Sequence, residues 1–168
     1  MISQTAEYAL RAMACLAYQP EKLTATPELA KMTRVPSNYL AKVLQMLAGA
    51  GLIQGRRGVG GGYQLSRSAG DIRLIDVVTA VDRVERITTC PLGLENHGAT
   101  LCALHRRVDA AAKAIIDEFG SASLADVVED GAPSMPLCDV DMTNRLLRLT
   151  LDDEEVEAAA GDTKAPTA

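Results

Sequence analysis

The stretch that decides the fold is residues 34–65, which read RVPSNYLAKVLQMLAGAGLIQGRRGVGGGYQL. After a proline-containing turn, Ser37 is placed to cap a helix, and the apolar residues that follow recur at helical spacing. They are Leu40, Val43, Leu44 and Leu47. Gly49 and Gly51 predict the end of this helix. We therefore expect a capped helix whose first turn presents polar side chains.

The second half of this stretch, residues 52–65, contains two short strand-like runs around a basic, glycine-rich connection. Such a pattern is typical of a β-hairpin. A nucleotide phosphate loop is the alternative for Gly60, Gly61 and Gly62, but no Lys-Ser/Thr pair follows them and a βαβ context is absent. The hairpin is therefore predicted to be a wing.

Two more helices are predicted before this stretch. Residues 4–18 carry apolar side chains at helical spacing. Thr26 then supplies an N-cap, and Pro27 the first position, of a short helix that ends near Met32. Two short helices separated by a tight turn and followed by a hairpin form the winged helix-turn-helix pattern. A further helix within residues 72–81 is expected to pack back on this core.

A long amphipathic helix is predicted over about residues 101–119. Its apolar face is wider than this small domain needs, so pairing with the same helix of a second copy would bury it and align two recognition helices. The expected fold class is mainly α with a small β-hairpin wing. The predicted segments are a winged helix-turn-helix domain at 1–85, a sensor loop at 86–100, a dimerisation helix with its extension at 101–130, and an acidic, largely disordered tail at 131–168.

Charge is distributed unevenly along the chain, whose formal net charge is −5. Residues 1–73 hold nine of the 17 Lys and Arg residues but only four of the 22 Asp and Glu residues. This first part is suited to phosphate contacts, whereas the acidic remainder would repel DNA. Apolar runs are shorter than the roughly 20 residues of a membrane span, and the N-terminus is not built like a signal peptide. We expect a cytoplasmic protein with no membrane partner.

Taken together, the sequence resembles the Rrf2 family of bacterial winged-helix regulators over about residues 1–130. The resemblance rests on short matches in the recognition helix, the wing, the helix after the wing and the end of the long helix. The matching segments are SNYLAK at 37–42, RGVGGGY at 57–63, DVV at 76–78, AVD at 80–82 and LADVV at 124–128. The resemblance implies a homodimeric repressor or activator whose DNA affinity is set by a cofactor or a thiol in the loop before the dimerisation helix.

Carried over by position, the resemblance implies DNA contacts from the recognition helix and the wing. The candidate residues are Ser37, Asn38, Tyr39, Lys42, Arg56, Arg57, Gly60, Gly61, Gly62 and Tyr63. Their chemistry agrees, because Asn38 can hydrogen-bond an adenine edge and Arg57 can enter a narrow minor groove. Tyr39 and Lys42 can reach a phosphate or a base. The alternative is that Tyr39 is partly core and that both wing arginines are only solvated charges.

The loop before the long helix is the sensor that the resemblance implies. Thiols in a reducing compartment are free or bind metal rather than forming structural disulfides. Cys90, Cys102 and His105 match the first cysteine, the last cysteine and the histidine of cluster-binding relatives, whose middle cysteine is missing here. A 2Fe–2S cluster would take its fourth ligand from His97, or from Glu7 of a second subunit. The alternatives are a switch based on the two cysteine thiols, or a loop that senses nothing.

The predicted function is regulation of transcription by a homodimer that binds double-stranded DNA. A cluster in the loop 90–105 is predicted to sense a signal such as redox state, iron–sulfur status or nitric oxide. The alternative is a cluster-free regulator that uses a thiol switch or binds a partner protein. An enzymatic role is not expected, because the sequence shows neither a nucleophile–base arrangement nor paired carboxylates.

Overall fold

The part of the chain that the computed structural model describes comprises residues 2–91, 93 and 100–130. Its elements are α1 (Gln4–Ala17), α2 (Thr26–Thr33), α3 (Ser37–Gly49), β1 (Ile53–Arg56), β2 (Gly62–Leu65), a 3-10 helix (Ala69–Asp71), α4 (Leu74–Val81), α5 (Ala103–Ser121) and α6 (Leu124–Val128). The prediction of a mainly α fold with a two-stranded wing is confirmed. The predicted tail at 131–168 and His97 lie outside the described residues.

Helix α1 is the centre of this fold and packs against α2, α3, α4 and α6. Its buried face is built largely from alanine, with Met13 and Leu16 filling the remaining space. The other elements contribute aliphatic side chains that are fully or almost fully buried: Leu29, Leu40, Leu44, Leu47, Ile72, Val77, Val78 and Leu124. Burial of each such side chain stabilises the fold by about 1.5–3 kcal/mol before the entropy of ordering is subtracted.

The starts of α2 and α3 differ from the sequence prediction. Thr26 and Ser37 were predicted as caps, but both lie inside the first turn, and the N-cap positions are Ala25 and Pro36. Neither helix start has a side-chain capping hydrogen bond. Each helix begins one residue earlier than predicted: the Ala25 carbonyl accepts from the Leu29 amide at 3.0 Å, and the Pro36 carbonyl accepts from the Leu40 amide at 2.9 Å.

The segment after α5 folds back on the winged domain through paired backbone groups. Arg73 and Ser123 form an isolated antiparallel bridge, and the Leu124 amide donates to the Ile72 carbonyl at 2.8 Å. Ser123 and Asp126 then form a capping box at the start of α6. Hydrogen bonds from the backbone and the hydroxyl of Ser123 hold the pKa of Asp126 below its usual value. These contacts tie α6 to the strand-like entry into α4.

Helix α5 is longer than any other described helix and contains no buried residue. It begins at Ala103, two residues later than predicted, with Cys102 as its N-cap. Leu104 and Val108, which belong to its predicted apolar face, are 67% and 45% exposed. The helix therefore presents apolar side chains that the rest of the described chain does not cover. Of the described helices, none combines the length and the apolar character that crossing a bilayer requires.

Candidate nucleic-acid interface

The first half of α3 presents an exposed polar surface. Ser37, Asn38 and Lys42 are exposed, whereas the opposite face of the helix is buried in the core. Asn38 Oδ1 accepts a hydrogen bond from the Tyr39 amide at 3.0 Å. Because bidentate recognition of adenine uses both the oxygen and the nitrogen of the side-chain amide, Oδ1 would have to release that backbone amide on binding.

Tyr39 lies at the border between this surface and α1. Its ring meets that of Tyr8 edge to face, with centroids 5.8 Å apart and an interplanar angle of 84°. The Tyr39 hydroxyl is 3.5 Å from Thr5 Oγ1, and 44% of the residue is exposed. Tyr39 is therefore partly packed and partly accessible. Its partial place in the core is compatible with a hydroxyl that can still contact DNA.

The wing is a regular antiparallel hairpin. Its paired residues are Ile53 with Leu65, Gln54 with Gln64, Gly55 with Tyr63, and Arg56 with Gly62. At the tip, Gly58 and Gly60 have φ angles of +100° and +70°, which side-chain-bearing residues rarely adopt. Between them, Val59 is fully exposed. The tip is therefore narrow, with little side-chain bulk around its backbone.

The two wing arginines differ in their contacts. Arg56 Nη2 donates to the Gly60 carbonyl at 3.1 Å, so this guanidinium braces the tip from inside the hairpin. Arg57 is exposed, and within the described ranges it makes no hydrogen bond or ion pair. An open cleft of about 400 Å³ separates the wing from the start of α2 and the end of α3, and both arginines line it. Arg57 is thus the cation of this pair that is available to an outside anion.

The second strand of the wing is fixed, near its tip end, to the chain just before α2. Thr24 and Tyr63 exchange two backbone hydrogen bonds, each 2.9 Å long. The approach is so close that a Cβ added at Gly62 would lie 2.5 Å from the Thr24 carbonyl oxygen. A Cβ at Gly61 would lie 2.2 Å from the Arg56 carbonyl oxygen. Both glycines, which the sequence analysis assigned to DNA contacts, therefore have a steric role in the free protein.

Of the predicted metal ligands, the structure brings two together. Cys102 Sγ lies 3.4 Å from His105 Nδ1 in the first turn of α5. Cys90 is half-buried, and Glu7 lies on α1, where it is held in an ion pair. His97 lies outside the described residues. Among residues 2–91, 93 and 100–130, no group of three or more His, Cys, Asp or Glu side chains is arranged to hold a metal ion. The described residues of one chain therefore do not fit a complete cluster site.

A polar clamp that the sequence analysis missed holds the entry to this loop against α5. Arg86 donates from Nε and Nη2 to the two carboxylate oxygens of Asp109, at 2.6 and 2.7 Å. The Ile87 amide adds a third hydrogen bond to Asp109 at 2.9 Å. The hydrogen bond from Arg86 is the main reason why the pKa of Asp109 lies below its usual value. The partners are separated by a loop, so no local sequence pattern marks them.

Comparison with known proteins agrees with this architecture. The profile of the Rrf2 family, described as an iron-dependent transcriptional regulator, matches residues 2–130. Among solved structures, IscR of T. potens has 24% identity and a TM-score of 0.63, covering 77% of this chain and 87% of that one. CymR, the global cysteine regulator of B. subtilis, has 23% identity and a TM-score of 0.61, covering 75% and 94%. The oxidised form of Staphylococcus aureus CymR has 26% identity and a TM-score of 0.59, covering 74% and 92%.

The steric role of the wing glycines can be tested by adding single methyl groups. We expect Gly61→Ala and Gly62→Ala each to lower the free energy of unfolding by about 1–3 kcal/mol, because the backbone must shift to relieve the overlap. Gly49→Ala is the control: a Cβ there meets nothing within 4 Å. Since Gly49 is helical, that change should raise the free energy of unfolding by about 0.5–1 kcal/mol. Urea unfolding followed by circular dichroism, at one protein concentration, measures all three, and equal values for the three variants would contradict the steric role.

Proposed function

Because the chain belongs to the Rrf2 family of transcriptional regulators, which bind DNA, we propose that it controls transcription as a homodimer on a two-fold operator. Members of this family are transcription factors rather than enzymes. The observation that carries the proposal is the exposed polar first turn of α3 together with a hairpin whose Arg57 is exposed and without a partner in the described chain. This pair of features fits one major groove and the minor groove next to it.

In the proposed complex, α3 enters the major groove by its N-terminal half. Ser37 and Asn38 face base edges and Lys42 neutralises a backbone phosphate, since a single ammonium acts as a point charge. The hydroxyl of Tyr39 reaches the sugar–phosphate backbone. At the wing, Arg57 inserts into the minor groove, where a narrow A·T-rich segment concentrates negative potential.

The remaining wing residues have supporting roles in this proposal. Arg56 keeps the tip in shape through its bond to the Gly60 carbonyl, and Gly60 lets the backbone approach the groove walls. Gly62 and Tyr63 hold the hairpin at its angle to α2 through the close contact with Thr24, and Gly61 lets the tip close against the Arg56 carbonyl. Arg57 is therefore expected to contribute more to DNA affinity than Arg56.

DNA binding is tested by selecting duplexes from a random library and measuring affinity for the selected operator by fluorescence anisotropy. We expect Lys42→Ala and Arg57→Ala each to weaken binding about tenfold. For Lys42→Ala, the slope of log K against log salt should become shallower by about 1, because one phosphate contact is lost. Lys113→Ala, which removes an exposed lysine of α5, is the control and should bind like wild type. No operator enrichment by the wild type, or equal effects of all three variants, would contradict the proposed interface.

The dimer is supported by the exposed stripe of α5. Leu104, Val108, Ala111 and Ile115 share one side of the helix, and the charged Arg106, Lys113 and Asp117 share the opposite side. An apolar stripe of this length on a single helix is costly to leave in water, and its own symmetry copy offers a matching surface. We therefore assign the homodimer contact to this stripe.

A charge placed in the stripe should separate the subunits. We expect Leu104→Glu to shift the protein from dimer to monomer in sedimentation velocity at micromolar concentration, because two carboxylates would face each other in an apolar contact. Ala110→Glu adds the same charge on the opposite side of α5 and should leave the dimer intact. A wild-type monomer, or dissociation by both substitutions, would place the contact elsewhere.

A sensory role for the segment 90–105 is supported by the position of Cys102. Its thiol lies at the N-cap of the helix that carries the dimer stripe, and its neighbour His105 is in the first turn of the same helix. The Arg86–Asp109 clamp holds the other end of the loop to this helix. Ligation or oxidation at Cys102 would therefore act on the start of α5. We propose that the chemical state of this segment sets the DNA affinity of the dimer.

The two chemistries proposed for the segment give different results after anaerobic purification. Visible absorption with stoichiometric iron and sulfide, lost in Cys102→Ala but kept in Cys15→Ala, would establish a cluster whose remaining ligands include groups outside the described residues. An iron-free protein whose DNA affinity changes on oxidation of Cys90 and Cys102, identified by peptide mass, would establish a thiol switch. DNA affinity that is the same in wild type and Cys102→Ala under both conditions would remove the sensory role.

A further inference from the structure

We propose that Arg11 is a positioning residue for the recognition helix, acting through the end of α2 and through the ring of Tyr8. The proposal rests on the DNA-binding function proposed above, but its first consequence is a property of the free protein. Arg11 was not among the residues that the sequence analysis singled out. Its guanidinium contacts Glu7 of α1, the end of α2 and the ring of Tyr8, which packs on Tyr39 of α3.

The first set of contacts joins α1 to the turn of the helix-turn-helix. Arg11 Nε donates to Glu7 Oε1 at 2.5 Å, and Nη1 donates to the Thr33 carbonyl at 3.2 Å. Thr33 is the last residue of α2, is buried, and is followed by Arg34 in the left-handed region with φ of 54°. Carbonyls at a helix C-terminus have no partner inside the helix. Arg11 therefore satisfies a carbonyl at the point where the chain turns from α2 towards α3.

The second set of contacts leads to the first turn of α3. The guanidinium carbon of Arg11 lies 5.8 Å from the centroid of the Tyr8 ring, within the range of a cation–π contact. The Tyr8 ring in turn meets the ring of Tyr39 at the distance and angle of a T-shaped pair. A continuous row of Glu7, Arg11, Tyr8 and Tyr39 thus connects the exposed edge of α1 with the surface proposed to read DNA.

The chemistry of this row requires arginine. A planar guanidinium can donate in two directions in its plane while its face lies near an aromatic ring, whereas an ammonium group has neither the fork nor the flat face. In the ion pair between Glu7 and Arg11, the side chain of Arg11 is 37% exposed and that of Glu7 is 41% exposed. An ion pair this exposed contributes little to the stability of the fold. The value of Arg11 is therefore geometric: it fixes where α3 begins relative to α1.

The test on the free protein is amide hydrogen exchange in Arg11→Lys, which keeps the charge and loses the fork. We expect the Tyr39 and Leu40 amides, which both donate to the Pro36 carbonyl, to exchange at least about threefold faster than in wild type. Arg86→Lys is the matched control, because it breaks a different arginine–carboxylate pair, far from α3 along the chain, and it should leave these two amides unchanged. Wild-type exchange at both amides in Arg11→Lys would overturn the proposal.

The test on DNA separates positioning from direct contact. On the selected operator, Arg11→Lys and Arg11→Gln should bind about tenfold more weakly, with affinity for a scrambled duplex of equal composition within about twofold of wild type. The slope of log K against log salt should stay at the wild-type value in Arg11→Gln. A slope shallower by about 1 would make Arg11 a phosphate contact and overturn the proposal. If wild type does not distinguish the two duplexes, the DNA-binding function fails instead, and the exchange experiment still decides the role of Arg11.

Discussion

The alanine face of α1 is the constraint on which the other elements depend. Ala6, Ala9 and Ala12 are fully buried, and their small side chains let the neighbouring helices pack close to the α1 backbone. A larger residue at any of these positions would have to push a packed helix away. Because α1 is held this tightly, its opposite, partly exposed edge has a fixed place. That edge carries Tyr8 and Arg11, which is why residues of a buried helix can contribute to a surface.

The candidate recognition surface is held from two sides. On one side, the Tyr8 ring of α1 contacts Tyr39 in the first turn of α3; on the other, the Thr24–Tyr63 backbone bridge ties the wing to the segment before α2. Neither of these two contacts is affected by the formal net charge of the chain, which is −5. What matters for an anionic partner is the local field of a few cations such as Lys42 and Arg57 on this rigid frame.

The sequence predicted those features that follow from local periodicity and turn chemistry. The existence and order of α1 to α5 and of the hairpin are examples, since each depends on residues within a few positions of one another, whereas α6 and the 3-10 helix were not predicted. The caps at Thr26 and Ser37 were wrong because each helix begins one residue earlier, where the carbonyls of Ala25 and Pro36 accept the first intrahelical hydrogen bonds. The pairs Arg11–Thr33 and Arg86–Asp109 span 22 and 23 residues across turns and loops, and no period links such partners. Cys102 and His105 were named together only because they match ligand positions of cluster-binding relatives, and their contact follows from their three-residue spacing at a helix start.

Recognition and regulation use different parts of this fold. In the proposed dimer, α5 sets the distance between two recognition helices, and α4 packs on both α5 and α3. The proposed supports of the first turn of α3, Arg11 and Tyr8, belong instead to α1. As long as Glu7 keeps its ion pair with Arg11 and is not the fourth cluster ligand, a change at Cys102 would alter the spacing of two half-sites and leave these α1 contacts in place. Specificity for sequence and sensitivity to a signal are then separable properties of one small domain.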